Sequence, residues 1–179
     1  LLPEDADAFT QSCKLPEHVE RVAVEDTLYC RPWDILTHLP EVLAVDLACA
    51  ELPSPSVEPA TLVGEHPAHI DESALVFPGV VLDTTGGAIV IEAGATLRPH
   101  AVLCGPCWIG RDSTVVDGAL IRANSVIGPS CKVGGEIGAS ILQGWSNKSH
   151  SGYLGDSILG QWVNLGAGTN SSNLMNTYS

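Results

Sequence analysis

Basic side chains are scarce in this chain, which has eight Lys and Arg against 21 Asp and Glu among 179 residues and a formal net charge of −13. This balance disfavours contact with phosphate backbones, so it argues against a nucleic-acid partner. The sequence also lacks an apolar run of the roughly 18 residues that a membrane helix needs. It has no charged-then-apolar secretory start. We therefore expect a cytoplasmic protein with no membrane partner.

What the sequence does contain is a six-residue period between residues 91 and 133. An aliphatic residue recurs at every sixth position, and a mostly small residue follows four positions later. The aliphatic series is Ile91, Leu97, Leu103, Ile109, Val115, Ile121, Ile127 and Val133. The second series is Ala95, Ala101, Cys107, Ser113, Ala119, Ser125, Cys131 and then the larger Ile137. A six-residue period fits neither a helix nor long alternating strands, and it indicates a repeat architecture.

The period predicts stacked triangular coils of about 18 residues, in which each side sends one aliphatic and one smaller residue inward. Like residues should then stack on three sides. The expected stacks are Ile91, Ile109 and Ile127; Leu97, Val115 and Val133; and Leu103 with Ile121. Ile70, Val76 and Leu82 suggest an earlier coil. The pattern resembles the hexapeptide-repeat family. That resemblance implies an all-β fold, a left-handed parallel β-helix with a short N-terminal helical segment.

The six cysteines do not have the spacing of a disulfide framework. Cys104 and Cys107 match the CxxC spacing of zinc and redox sites. On the hexads, however, Cys104 follows the inward Leu103 and belongs at an outer turn, whereas Cys107 takes an interior position. Their side chains should point apart, which favours free thiols in a reducing compartment. Metal or redox use is the alternative.

Residues 1–60 lack the period and are predicted to hold a helix and a linker ahead of a β-helix domain at 61–179. The helix should run from Pro32 to Leu47, with a kink or break at Pro40. Its apolar stripe is expected to comprise Ile35, Leu36, Leu39, Val42 and Leu43. The segment Arg31-Pro-Trp-Asp-Ile-Leu resembles the end of the nucleotidyltransferase domain in an alternative bacterial and archaeal group of sugar-phosphate nucleotidyltransferase/acetyltransferase proteins. This resemblance implies that residues 1–60 are the remnant of a nucleotidyltransferase-like domain and that residues 61–179 form an acyltransferase domain.

The period breaks between Gly134 and Tyr153 and resumes at Leu154. A regular solenoid that loses its rule for about one coil often carries a functional loop there. His150 lies within this break and is surrounded by Ser, Gly and Asn, which argues against a core histidine. A neutral imidazole accepts a proton near pH 7. His150 is therefore a candidate general base.

Two segments near His150 carry a specific resemblance. Asn147-Lys-Ser-His-Ser-Gly-Tyr-Leu-Gly-Asp156 and Val163-Asn-Leu-Gly-Ala-Gly-Thr169 are similar to the acetyltransferase domain of bifunctional N-acetylglucosamine-1-phosphate uridyltransferase/glucosamine-1-phosphate N-acetyltransferase. The closer similarity is to the alternative group named above. The resemblance implies acetyl-CoA as co-substrate, an amino-sugar phosphate as acceptor, and a homotrimer with active sites between subunits.

Site residues follow from the resemblance position by position. His150 matches the catalytic base, which takes a proton from the sugar amine. Tyr153 and Asn164 match sugar-phosphate contacts, and Asn173 matches a further one more loosely. Ala167 falls where a backbone N–H helps to hold the acetyl group. Lys148 is a candidate phosphate partner on its charge alone.

Several of these residues could instead have ordinary structural roles. His150 could be an ordinary surface residue, Tyr153 could cap a coil, and Asn164 and Asn170 are typical corner residues of β-helices. Trp108 and Trp162 each precede an inward position, so we expect both to face outward at a subunit interface.

Two other functions compete with N-acetyl transfer. A zinc enzyme of the γ-carbonic anhydrase type would need three converging imidazoles. The candidates are His66, His69, His100 and His150, which lack that family's spacing. A non-catalytic trimerisation or regulatory module of a sugar-nucleotidyltransferase is the other alternative.

The family continues beyond these residues with coils that build much of the coenzyme A groove, whereas this chain stops at Ser179. The chain also has no glycine-rich nucleotide loop. We therefore expect a fragment of a longer bifunctional protein, in which Mg²⁺ would be required only by a nucleotidyltransferase domain. The sequence leaves the sugar, the acyl group and the nucleotide open.

Overall fold

Three parallel sheets form the walls of a β-helix, seen in a computed structural model that describes residues 29–49 and 58–171. Sheet A contains β1 (Thr61–Val63), β4 (Val81–Asp83), β7 (Val102–Cys104), β10 (Leu120–Ile121), β13 (Glu136–Gly138) and β16 (Tyr153–Gly155). Sheet B contains β2 (Ala68–Ile70), β5 (Ile89–Ile91), β8 (Cys107–Ile109), β11 (Ser125–Ile127), β14 (Ile141–Leu142) and β17 (Ile158–Leu159). Sheet C contains β3 (Leu75–Val76), β6 (Thr96–Leu97), β9 (Thr114–Val115), β12 (Lys132–Val133) and β15 (Asn147–Lys148). The described residues from Arg31 onward form one compact unit, and the contacts below lie within it.

The predicted stacks are present in the core. Ile91 pairs with Ile109 and Ile109 with Ile127 along sheet B, and the Leu97 and Leu103 stacks are formed in sheets C and A. The earlier coil joins them, since Ile70, Val76 and Leu82 pair with Ile91, Leu97 and Leu103. Seven residues at the small-residue position are buried: Ala95, Ala101, Cys107, Ser113, Ala119, Ser125 and Cys131. The predicted parallel β-helix is confirmed.

The segment from Gly134 to Tyr153 is a shortened coil and not a loop that leaves the solenoid. Ile137 pairs with Ile121, so it is an inward aliphatic residue and does not take the small-residue position that the sequence predicted. Only four positions separate Val133 from Ile137, because the corner at Gly134 and Gly135 is shortened. Leu142 then stacks on Ile127, and Lys148 stacks on Val133. The coil therefore continues although its six-residue period is lost.

A single helix in the described residues, α1 (Asp34–Cys49), lies against sheet B. At its start the Arg31 N–H donates to the Asp34 carboxylate at 2.9 Å, and the Asp34 N–H donates to the Arg31 carbonyl oxygen at 3.0 Å. The helix runs through Pro40 and ends two residues beyond the predicted Leu47. Its buried residues are Leu39, Leu43 and Leu47. No helix in the described ranges is long and apolar enough to cross a membrane.

One expectation for the apolar residues around this helix is wrong. Ile35 and Val42 are exposed and not part of a buried stripe, because the contact face follows the spacing of Leu39 and Leu43. Trp108 faces outward from sheet B as expected, and it packs partly buried beneath the helix with Val90.

The two cysteines of the CxxC motif lie on opposite sides of the wall. Cys107 is in the core, whereas Cys104 lines a pocket on the outer face of sheet A. Both are free thiols. Burial raises the pKa of both, more strongly for Cys107. The prediction that their side chains point apart agrees with this arrangement.

Thiol reactivity should follow this burial. At neutral pH we expect a disulfide reagent to label Cys30 and Cys49 first, because both thiols are exposed to the reagent. Cys107 and Cys131, whose pKa values burial raises, should react only after unfolding. Mass spectrometry of labelled peptides gives the order, and rapid labelling of Cys107 in the native protein would contradict the packing.

Candidate active site at the C–A corner

His150 lies at the corner where the chain passes from sheet C to sheet A. The turn 149–152 connects β15 to β16, and His150 is exposed at its tip. Gly152 has a φ of 126°, and a Cβ there would lie 2.3 Å from the Thr169 carbonyl oxygen. The turn therefore packs tightly against the next coil and presents the imidazole outward.

The next coil brings Ala167 to the same corner. Asn147 bridges Asn164, and the Gly168 N–H donates to the Ser151 carbonyl oxygen at 3.1 Å. Both contacts join residues 17 positions apart, so the same register sets Ala167 beside His150. Neighbouring parallel strands lie about 4.8 Å apart, which is the spacing expected for these two backbone positions. Among the described residues, the Ala167 N–H has no acceptor.

Tyr153 lies on the outer face of sheet A, three residues after His150. Its N–H donates to Asn170 Oδ1 at 2.8 Å, so Asn170 fixes the start of β16. The Tyr153 side chain lines a pocket of about 340 Å³ with Arg122, Cys104 and Asp156. A phenol and a guanidinium thus share the outer surface of sheet A, and the other lining residues lie toward the sheet B end of its strands.

Arg122 is a candidate binding residue that sequence reasoning missed. Its Nε is paired with the Glu136 carboxylate, and that hydrogen bond raises the pKa of the guanidinium. Gly138 leaves room for the arginine stem, since a Cβ there would lie 3.3 Å from Arg122 Cβ. Arg122 precedes Tyr153 by 31 positions, and only the stacking of coils brings the two together.

Asn164 is held by a side-chain contact. Asn147 Nδ2 donates to Asn164 Oδ1 at 2.7 Å, across neighbouring rungs of sheet C. This contact orients Asn164 on the outer surface close to the His150 turn. Asn147 belongs to the motif that carried the family resemblance, but its pairing with Asn164 emerges only from the register.

Lys148 is buried and does not lie on the surface, where a phosphate partner was expected. Its side chain is 2% exposed, because it occupies the inward position of its strand. The amine donates to the carbonyl oxygens of His150 and Gly134 at 2.7 and 3.0 Å. A phosphate contact requires an exposed amine, so this interior position does not favour the role that charge alone suggested.

Two predicted residues remain, Asn173 and Trp162. Asn173 lies outside the described residues. Trp162 faces outward as expected and stacks on Trp145, with ring centroids 5.9 Å apart and an interplanar angle of 12°.

Within ranges 29–49 and 58–171, no three His, Cys, Asp or Glu side chains are grouped to hold a metal ion, so the zinc-enzyme alternative has no ligand set there.

Comparisons with known proteins agree with the family resemblance. No family model matches the chain. The chain is 34% identical over 103 residues to the bifunctional protein GlmU of Jannaschia sp. (strain CCS1), covering 56% of this chain and 22% of that protein. It is 32% identical over 126 residues to GlmU of Synechococcus elongatus, covering 52% and 28%. For GlmU of Nostoc sp. (strain PCC 7120 / SAG 25.82 / UTEX 2576) the identity is 28% over 133 residues, covering 63% and 30%.

The matched stretch is less than a third of the length of each of these relatives. Over about half of its own length the chain is thus similar to bifunctional GlmU proteins, and its β-solenoid fits a hexapeptide-repeat acetyltransferase domain. The predicted resemblance is confirmed at this level.

Proposed function

We propose that this β-helix belongs to an acetyl-CoA-dependent N-acetyltransferase that acts on an amino-sugar phosphate, with glucosamine-1-phosphate as the substrate. The parent protein would be a bifunctional sugar-phosphate nucleotidyltransferase in the synthesis of UDP-N-acetylglucosamine or a related nucleotide sugar. The observation that carries this proposal is the register that sets His150 beside Ala167 at one corner. It supports a general base and an N–H donor acting on one reacting centre.

The chemistry assigns a distinct task to each of the two residues. His150 accepts a proton from the substrate nitrogen, whose lone pair attacks the thioester carbonyl carbon. The carbonyl oxygen then carries negative charge, and the Ala167 N–H donates a hydrogen bond to it. Collapse of this tetrahedral intermediate breaks the carbon–sulfur bond and releases coenzyme A. The proton held by His150 can neutralise the departing thiolate.

Sugar-phosphate binding is assigned to the surface around Tyr153 and Asn164. We expect Arg122, in place of Lys148, to supply the positive charge for the phosphate, because a guanidinium can donate two parallel hydrogen bonds to phosphate oxygens. Glu136 takes the Nε edge of Arg122 and orients the group. With a net charge of −13, the chain needs such a local cation to attract an anionic substrate.

The active form is proposed to be a homotrimer with its sites between subunits. The exposed pair Trp145 and Trp162 supports a subunit contact, since large exposed aromatic residues mark interaction surfaces. Asn173 remains a proposed sugar contact. Mg²⁺ would serve only a nucleotidyltransferase domain of the parent protein.

The proposal is tested by mixing the complete protein with acetyl-CoA and glucosamine-1-phosphate and following release of the coenzyme A thiol. We expect release that depends on the sugar phosphate, with glucosamine as a much poorer acceptor because it lacks the phosphate. Failure to bind coenzyme A by an intact trimer would favour the trimerisation or regulatory module instead.

A further inference from the structure

Lys148 is a lysine at a core position of the β-helix. In its stack it follows Val133, and Leu165 packs on the core from the next coil. An aliphatic residue would fill this position without the cost of burying an ammonium group. Burial lowers the pKa of Lys148, as that cost requires. Packing alone therefore does not explain why a lysine occupies this core position.

The amine bridges two turns of the chain. It donates to the Gly134 carbonyl oxygen at 3.0 Å and to the His150 carbonyl oxygen at 2.7 Å. The first acceptor lies in the shortened corner, and the second belongs to the exposed candidate base. Lys148 thus connects the interior of the coil directly to the backbone of His150.

The shortened corner is shaped around this amine. Gly135 has a φ of 68°, and a Cβ there would lie 3.0 Å from both Lys148 Nζ and the His150 carbonyl oxygen. It would also lie 2.6 Å from the Gly152 carbonyl oxygen. A side chain at this position would compete for the space that the amine and the turn 149–152 occupy. The shortened corner and the buried lysine therefore fit each other, because the small residue at Gly135 leaves the space that the amine occupies.

We propose that Lys148 is a positioning residue, which holds the His150 backbone from inside the coil so that the imidazole points at the substrate nitrogen. This rests on the proposed N-acetyltransferase function. The turn that carries His150 is exposed, and the hydrogen bond from Lys148 ties its tip to the core. Misplacement of a catalytic group by about 1 Å can lower a rate by about 100-fold.

The test compares Lys148→Met with Lys132→Met in the complete protein. Methionine keeps an unbranched apolar stem in the core but cannot donate to the two carbonyl groups. Lys132 is exposed one coil earlier on the same sheet and makes neither contact, so its variant controls for the loss of a lysine charge. We measure kcat and KM for glucosamine-1-phosphate and acetyl-CoA, together with the thermal midpoint.

For Lys148→Met we expect kcat to fall by about 10- to 100-fold, with both KM values within about threefold of wild type and no loss of thermal stability. Lys132→Met should behave as wild type. A large rise in KM for the sugar phosphate with unchanged kcat would instead identify Lys148 as a phosphate ligand and overturn the proposal. Unchanged kinetics would overturn it as well.

A second variant keeps the test decisive if the first does not fold. Lys148→Leu matches the aliphatic residues of its own stack and should show the same loss of kcat. If neither variant folds, Lys148 supports the fold as a whole, and the positioning role is wrong. If His150→Ala retains full activity, the proposed function itself fails, which is a separate outcome from a failure at Lys148.

Discussion

Replacing His150 by Ala is expected to lower kcat for acetyl transfer to glucosamine-1-phosphate by about 10²- to 10⁴-fold, the usual contribution of a positioned general base. The imidazole is exposed at the tip of the turn 149–152, so its loss removes no core contact. The thermal midpoint and the binding of coenzyme A should therefore stay close to wild type. Steady-state kinetics with the complete protein provide the measurement.

His66→Ala is the matched control for this prediction. His66 is exposed between β1 and β2, at the opposite end of the described coils, and the same side chain is removed. Its variant should have wild-type kinetics. Equal activities for the two variants would show that His150 is not the base.

Truncating Leu97 to Ala should destabilise the protein by about 2–5 kcal/mol, the range for removal of a large buried aliphatic side chain. Leu97 is fully buried between Val76 and Val115 in the stack of sheet C. Each coil contacts only its neighbours, so the cavity interrupts the column of aliphatic residues. Denaturant unfolding of the complete protein gives the change.

Leu75→Ala makes the same chemical change on the same sheet at an exposed position, since Leu75 is 59% exposed. It should alter the free energy of unfolding by no more than about 0.5 kcal/mol. A similar loss for both variants would contradict the inward and outward assignment of the coil residues.

The regular coils could be predicted from sequence because an aliphatic residue faces inward at every sixth position. Ile91, Ile109 and Ile127 identify their neighbours on the next coils by spacing alone. The shortened coil could not be predicted in this way. Its corner at Gly134 and Gly135 loses residues, and Lys148 then fills an inward position where a search for aliphatic residues finds nothing.

Only part of the candidate site could be predicted from the sequence, because the site also depends on coils that lose the six-residue period. The proximity of His150 and Ala167 depends on a coil length of 17 in this region, which the regular repeat does not reveal. Arg122 reaches the surface beside Tyr153 from an earlier coil, so local motifs give no signal for it. The helix that covers Trp108 lies outside the repeat, so the hexads alone do not predict this contact.

The most direct test of the proposed site is a crystal structure of the complete protein with glucosamine-1-phosphate and coenzyme A. We predict that the sugar amine lies within about 2.6–3.2 Å of an imidazole nitrogen of His150, or is connected to it through one water. The Ala167 N–H should face the space where the acetyl oxygen forms. A sugar phosphate bound away from the C–A corner would contradict the assignment of this site.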